Sequence, residues 1–137
     1  MKTIAILVAI AIVALLAWSA TRAKAEDEQV IATTFVFVKI PESIMPIARG
    51  DKYEDPLDKL LQEAALGEVT GGGSQLGDPN PDGSAHIDWV GVDVELVDLE
   101  SGLPFLKQEL LKLGAPEATI LEYQRGGKDV SETIGQP

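Results

Sequence analysis

Two carboxylates, Asp93 and Glu95, have the spacing that acid–base chemistry would require on a β-strand. Alternate residues of a strand share one face, so their carboxyl groups would lie about 6–7 Å apart. Paired carboxylates at that separation can hydrolyse a bond by general acid–base catalysis. On a solvent-facing strand such a pair usually serves only solubility. We favour this second interpretation and assign no catalytic residue.

His86, the single histidine of the 137-residue chain, could act as a general base only beside a nucleophile. Ser84 and Ser74 are candidates, but neither lies in the Gly-x-Ser-x-Gly pattern of a nucleophile elbow. His86 follows a turn at the start of a predicted strand, which is typical of a surface histidine. We therefore expect no serine-based catalysis.

The segment Asp78-x-Asn80-x-Asp82-Gly83 matches the first half of a calcium-binding loop. The bidentate glutamate expected at the twelfth position is replaced by Trp89. The sequence therefore predicts a hairpin turn here, with no metal and no other cofactor. The chain has no cysteine, which excludes disulfides, thiolate zinc sites and cysteine nucleophiles.

The start of the chain has the pattern of an export segment. Lys2 precedes an uncharged apolar run from Ile4 to Ala20, and Ala23 and Ala25 fit the small-x-small rule for signal peptidase. We expect residues 1–25 to be removed after Ala25 and the domain to be periplasmic or secreted. The alternative is a retained membrane anchor formed by residues 4–20, which are barely long enough to span a bilayer.

Acidic residues dominate the rest of the chain. Loss of Lys2, Arg22 and Lys24 would leave 8 of the 11 basic residues against all 22 acidic ones, a net charge of −14. Nucleic-acid binding depends mainly on Lys and Arg, so this charge argues against it. The same charge disfavours an anionic membrane surface, so membrane contact is expected only through the N-terminal segment.

The periodicity of the remaining sequence predicts two helices and four strands. Proline and glycine mark most of the boundaries. The predicted strands are Val30–Ile40, Glu68–Gly73, His86–Asp98 and Ala118–Gln124, and the predicted helices run from Asp55 to Gly67 and from Ser101 to Gly114.

The order β-α-β-β-α-β predicts an α+β domain of the ferredoxin-like (split βαβ) class at residues 30–125. In such a fold a four-stranded antiparallel sheet carries both helices on one face and leaves its other face open. Residues 126–137 are predicted to form a polar tail.

Period-two alternation then assigns each strand residue to a face. Val90, Val92 and Val94 would meet the helices, together with Val36 and Val38. Aromatic side chains exposed together suggest a contact surface. The candidate binding residues on the open face are Phe35, Phe37, Trp89, Asp93 and Glu95.

Three segments carry a resemblance to a known class of proteins: Gly67–Gly73, the acidic strand Ile87–Leu96 and the helix end Leu113–Pro116. Together they resemble small bacterial ferredoxin-like proteins of unassigned function, some of them similar to immunity proteins that bind and block a toxin. The resemblance spans Val30 to Gln124 and implies the same fold and a protein partner. It implies no catalytic residue, and the export segment departs from the cytoplasmic immunity proteins.

The sequence thus favours an exported, acidic, non-enzymatic module. Its partner would be a protein that offers a basic or apolar surface to the open face. Acidic charge would speed the encounter with a basic partner, while the aromatic residues would supply affinity. Two alternatives stay open: a small exported hydrolase that uses Asp93 and Glu95, and a domain that pairs with a second copy of itself through the open face.

Overall fold

The computed structural model describes residues 30–135, which form an α+β fold of five strands and three helices. No helix in that range is long and apolar enough to cross a bilayer. The predicted export segment, including Ala23 and Ala25, lies outside the described residues. The strands are β1 (Thr34–Ile40), β2 (Gly67–Leu76), β3 (Ile87–Leu96), β4 (Ile120–Arg125) and β5 (Lys128–Thr133), and the helices are α1 (Pro46–Arg49), α2 (Asp55–Glu63) and α3 (Leu99–Lys112).

All five strands belong to one sheet in the order β2-β3-β1-β4-β5, and every neighbouring pair is antiparallel. The central strand β1 pairs Val36 with Val94 on one side and with Tyr123 on the other. The predicted α+β class with an antiparallel sheet is confirmed. The predicted number of four strands is wrong, because the sheet has a fifth.

The fifth strand lies in the segment that the sequence analysis assigned to a polar tail. Gly126 and Gly127 both have positive φ, 57° and 77°, and connect β4 to β5 as a two-residue hairpin turn. Glycine suits both positions because a tight hairpin turn of this kind requires φ above zero at each. Arg125 pairs with Lys128 across the turn, so the end of the chain extends the sheet sideways.

The predicted inward rows are confirmed. Val36, Val38 and Ile40 of β1 are fully buried, as are the alternating residues Val90 to Leu96 of β3. Both long helices pack on this same side of the sheet, because their buried leucines belong to one core with the strand residues. These leucines are Leu57 and Leu61 of α2 and Leu103, Leu106 and Leu110 of α3.

The first helical region is longer than the sequence predicted. The helix was expected to begin at Asp55, but α1 begins at Pro46 and continues through a π-helical turn at Gly50–Glu54 into α2. The buried ring of Tyr53 in the π-helical turn fixes this segment on the core, and its hydroxyl donates to the Glu42 carboxylate. The region therefore has a tertiary anchor that local propensity does not reveal.

The helix ends also differ in detail from the prediction. Ala65, with φ of 54°, takes the left-handed conformation after α2, whereas Gly67 is already the first residue of β2. At α3 the side chain of Asp98 accepts from the backbone N–H of Ser101 at 3.0 Å and caps the helix. The second helix is thus confirmed, beginning at Leu99 rather than at Ser101.

Candidate functional site

The side of the sheet opposite the helices, here called the open face, carries the three predicted aromatic residues. Phe35 is 48% exposed, and Phe37 and Trp89 are half-buried. The rings of Phe37 and Trp89 meet edge to face, with centroids 5.8 Å apart and an interplanar angle of 79°. The Lys39 ammonium lies 4.8 Å from the centroid of the Trp89 ring, within the range of a cation–π contact.

Gly91 makes the contact between Phe37 and Trp89 possible. It pairs with Lys39 on β1, one step along the same face from the pair Phe37–Asp93. A Cβ atom at position 91 would lie 2.6 Å from the Phe37 ring and 3.6 Å from the Trp89 ring. Phe37 therefore leans across the strand into space that only glycine leaves free. The sequence analysis missed this residue, because only the strand register shows what faces it.

Asp93 and Glu95 also lie on the open face, as predicted, and both are half-buried. The Thr33 hydroxyl donates to Glu95 Oε2 at 2.7 Å, while Asp93 pairs with Phe37 across the strands. Within residues 30–135, no group of three or more His, Cys, Asp or Glu side chains is placed to hold a metal ion. The two acids thus border the aromatic residues.

His86 is not brought together with the two acids. His86 directly precedes β3, and its imidazole lies 3.5 Å from the carboxylate of Asp88, the second residue of that strand. Asp93 comes six residues after Ile87, which separates the two places by roughly 20 Å along an extended strand. The structure therefore does not assemble His86 with Asp93 and Glu95 in one site.

The segment that matched half of a calcium loop forms a turn held by its own hydrogen bonds. The Ser84 hydroxyl and backbone N–H donate to Asp82 Oδ1 at 2.6 and 2.9 Å, and these bonds lower the pKa of the Asp82 carboxyl. The Gly83 N–H donates to the Asn80 carbonyl oxygen at 2.8 Å. The Asp82 carboxylate and the Asn80 carbonyl thus serve the turn that joins β2 to β3.

A groove of about 860 Å³ lies on the open face between β1 and β5. The sequence analysis missed its far wall because it assigned β5 to a tail. Gln124 Nε2 donates to Asp129 Oδ1 at 3.0 Å in that wall, and Glu122 pairs with Phe37 on one side and with Ser131 on the other. The residues that point into the groove include Phe35, Phe37, Glu122, Gln124, Asp129 and Ser131.

A polar cluster on the helix side of β2 was also missed. Arg49, at the end of α1, pairs with Glu54 and donates from Nη1 to Ser74 Oγ at 2.8 Å. The Glu54 carboxylate covers Gly72, where any side chain would overlap with it.

A second group of polar contacts surrounds Glu42. Lys52 Nζ lies 3.0 Å from the Glu42 carboxylate, which also accepts from the Tyr53 hydroxyl. The hydrogen bonds from Arg49 to Ser74 and from Tyr53 to Glu42 hold this helical segment against the sheet. Burial is the main cause that raises the pKa of the Tyr53 hydroxyl.

Comparison of the chain with protein-family models, with curated proteins and with solved structures found no match. The open face offers two aromatic rings in edge-to-face contact, carboxylates on either side of them and a groove beside them.

Proposed function

We propose that this protein is an exported, acidic, non-enzymatic module that binds another protein through the open face, in the manner of an inhibitor or immunity protein. The observation that carries the proposal is the aromatic cluster of Phe35, Phe37 and Trp89, which remains accessible on the open face. Aromatic residues at the centre of a contact surface commonly supply most of its binding energy.

The proposed fold class is ferredoxin-like with one added strand. The strand order β2-β3-β1-β4 and the two crossover helices on one side of the sheet support this class, and β5 extends the edge beside β4. In this class the open face is the sheet surface that the helices leave uncovered. The C-terminal segment pairs with β4 in the plane of the sheet, so it leaves the aromatic residues accessible.

The proposed partner has a basic surface. Asp93, Glu95, Glu122 and Asp129 surround the aromatic residues, and Lys39 is the one cation that contacts them within the described residues. Opposite charge steers two proteins together and speeds their encounter, while affinity comes from the desolvated centre of the interface. The net charge of −14 beyond residue 25 acts in the same direction.

The experiment is a capture of proteins from the native envelope fraction on the immobilised full chain, followed by identification and purification of the captured protein. The affinity of the purified pair is then measured for the unsubstituted protein, for Phe35→Ala and for Trp89→Ala. We expect the two substitutions to weaken binding by about 2 kcal/mol each, as hot-spot residues do.

Ile47→Ala is the matched control, because Ile47 is an 82% exposed apolar residue of α1, outside the open face. Its affinity should equal that of the unsubstituted protein. Light scattering of the protein alone tests self-association in the same series. The proposal fails if both aromatic variants bind as tightly as the control, or if the protein binds only a second copy of itself.

A further inference from the structure

We infer that the groove between β1 and β5 is the subsite for an arginine side chain of the partner. This inference rests on the proposed function and adds to it the chemistry of the group that is bound. It also assigns a role to two acids of the added hairpin, Glu122 and Asp129, that do not belong to the aromatic cluster.

The groove has an aromatic wall and a polar wall. Phe35 and Phe37 of β1 form the aromatic wall, and Phe35 keeps nearly half of its surface exposed. The opposite wall comes from β4 and β5, where Glu122 and Asp129 alternate with the uncharged Gln124 and Ser131. A planar cation that enters the groove would meet ring faces or edges on one side and carboxylates on the other.

The charge of the groove is unbalanced. Its lining residues include two carboxylates and neither Lys nor Arg. Asp129 accepts one hydrogen bond, from Gln124 to its Oδ1, and Glu122 has none from another side chain within residues 30–135. By contrast, the acids Glu42 and Glu54 on the helix side of the sheet are paired with Lys52 and Arg49. The carboxylates of the groove are therefore available to an external cation.

Arginine fits these walls better than lysine does. Its guanidinium group is planar, stacks on aromatic rings and donates hydrogen bonds to carboxylates in a fork. The ammonium group of lysine is a strongly hydrated point charge that makes no stacking contact of this kind. A volume of about 860 Å³ can hold the side chain and part of the backbone that presents it.

The test uses the full chain in a neutral detergent and capped tetrapeptides of arginine, lysine and citrulline, which keeps the shape of arginine without its charge. Binding is followed through NMR shifts of the backbone amides. We expect the arginine peptide to shift the amides of Phe35, Glu122 and Asp129. Its Kd should be at least about tenfold lower than that of the citrulline peptide and about threefold lower than that of the lysine peptide.

The double variant Glu122→Gln/Asp129→Asn removes both groove carboxylates with little change of shape. We expect it to raise the Kd of the arginine peptide at least about fivefold. The matched control, Asp51→Asn/Glu63→Gln, removes the same charge from exposed positions in the π-helical turn and α2, and it should change the Kd less than about twofold. Equal Kd values for the two double variants, or for arginine and lysine peptides, would overturn the inference.

The failure of this subsite and the failure of the proposed function give different results. If the captured partner still requires Phe35 and Trp89 but binds the groove double variant normally, the arginine subsite is wrong and the binding face stands. If Phe35→Ala and Trp89→Ala bind the partner normally, the proposed function is wrong, whatever the peptides show.

Discussion

The Phe37 ring lies over Gly91 of the neighbouring strand and is in edge-to-face contact with the ring of Trp89, two residues before Gly91 on that strand. The register places Phe37 opposite Asp93, so the ring reaches diagonally across the strands. Diagonal neighbours on one sheet face are within reach of aromatic side chains. A missing side chain at position 91 thus determines how the aromatic cluster is packed.

Gly91→Ala should therefore destabilise the protein. The new methyl group would lie 2.6 Å from the Phe37 ring, which would have to move away from Trp89. Overpacking of this kind costs about 1–3 kcal/mol of unfolding free energy. Urea unfolding of the full chain in a neutral detergent measures the change.

Gly73→Ala is the control. Gly73 lies on β2 opposite Gly91 of β3, and a Cβ atom added at position 73 would have no neighbour within 4 Å. Its unfolding free energy should stay within about 0.5 kcal/mol of the unsubstituted value. Equal effects of the two substitutions would mean that the Phe37 ring is not confined by position 91.

Trp89→Ala should cost little stability although it weakens partner binding. Trp89 is half-buried on the open face, and its edge-to-face contact with Phe37 is worth about 0.5–1.5 kcal/mol. Leu106→Ala, at a fully buried position of α3, should cost about 2–5 kcal/mol in the same unfolding measurement. A loss at Trp89 as large as that at Leu106 would place the indole in the core and remove the basis for the interface.

The facing of the strands could be predicted from the sequence because a strand has a simple period. One row of β-branched residues, Val90, Val92 and Val94, settles which side is inward, and every outward residue follows. The aromatic residues and the acids Asp93 and Glu95 of the open face were found in this way. The antiparallel α+β class followed from the order of the elements, whose boundaries are marked by proline and glycine.

The parts that were missed depend on tertiary partners. The segment Pro46–Glu54 contains few apolar residues in helical spacing, and it is helical because Tyr53 is anchored in the core and bonded to Glu42. Strand β5 has only Val130 and the terminal Thr133 as β-formers, and it forms as the partner of β4. The glycine pair at 126–127 was the available signal, since two glycines between polar strands favour a hairpin turn. Missing that turn also meant missing the groove.

Charge reversal of the open face should act on the rate of association with the captured partner. Asp93→Lys/Glu95→Lys should slow association with a basic partner, and the effect should shrink at high salt because ions screen exposed charges. Stopped-flow or surface-based kinetics measures the association rate constant at low and at high salt. Asp51→Lys/Glu63→Lys makes the same change of net charge on the helix side. If both variants slow association equally, only the total charge matters and not the face.

The predicted export can be tested on the protein as the cell produces it. Ala23 and Ala25 predict cleavage after residue 25, so N-terminal sequencing of the exported form should begin at Glu26. Replacing Ala25 by a bulky residue, as in Ala25→Phe, should block processing and leave the full-length protein in the membrane fraction. A full-length, membrane-integral product from the unsubstituted chain would instead favour an anchor formed by residues 4–20.

The free energy of unfolding at low pH should depend on the N-terminal cap of α3. The Ser101 hydroxyl donates to Asp98 at 2.6 Å and its backbone N–H at 3.0 Å, and these two bonds hold the pKa of the Asp98 carboxyl below its ordinary value of 3.8. A carboxyl whose pKa is lower in the folded state stabilises that state above the unfolded-state pKa. This contribution is lost as the pH falls through the folded-state value, that is, below about pH 4.

Asp98→Asn keeps an oxygen that can cap the helix but removes the titrating group. The difference in unfolding free energy between the unsubstituted protein and this variant should therefore be constant from pH 7 to pH 5 and shrink below about pH 4. Asp51→Asn is the control, because no side-chain hydrogen bond involves this exposed residue within residues 30–135, and its curve should run parallel to that of the unsubstituted protein. Urea unfolding at half-unit pH steps measures all three curves. If the Asp98→Asn curve also ran parallel, protonation of Asp98 would not contribute to acid unfolding.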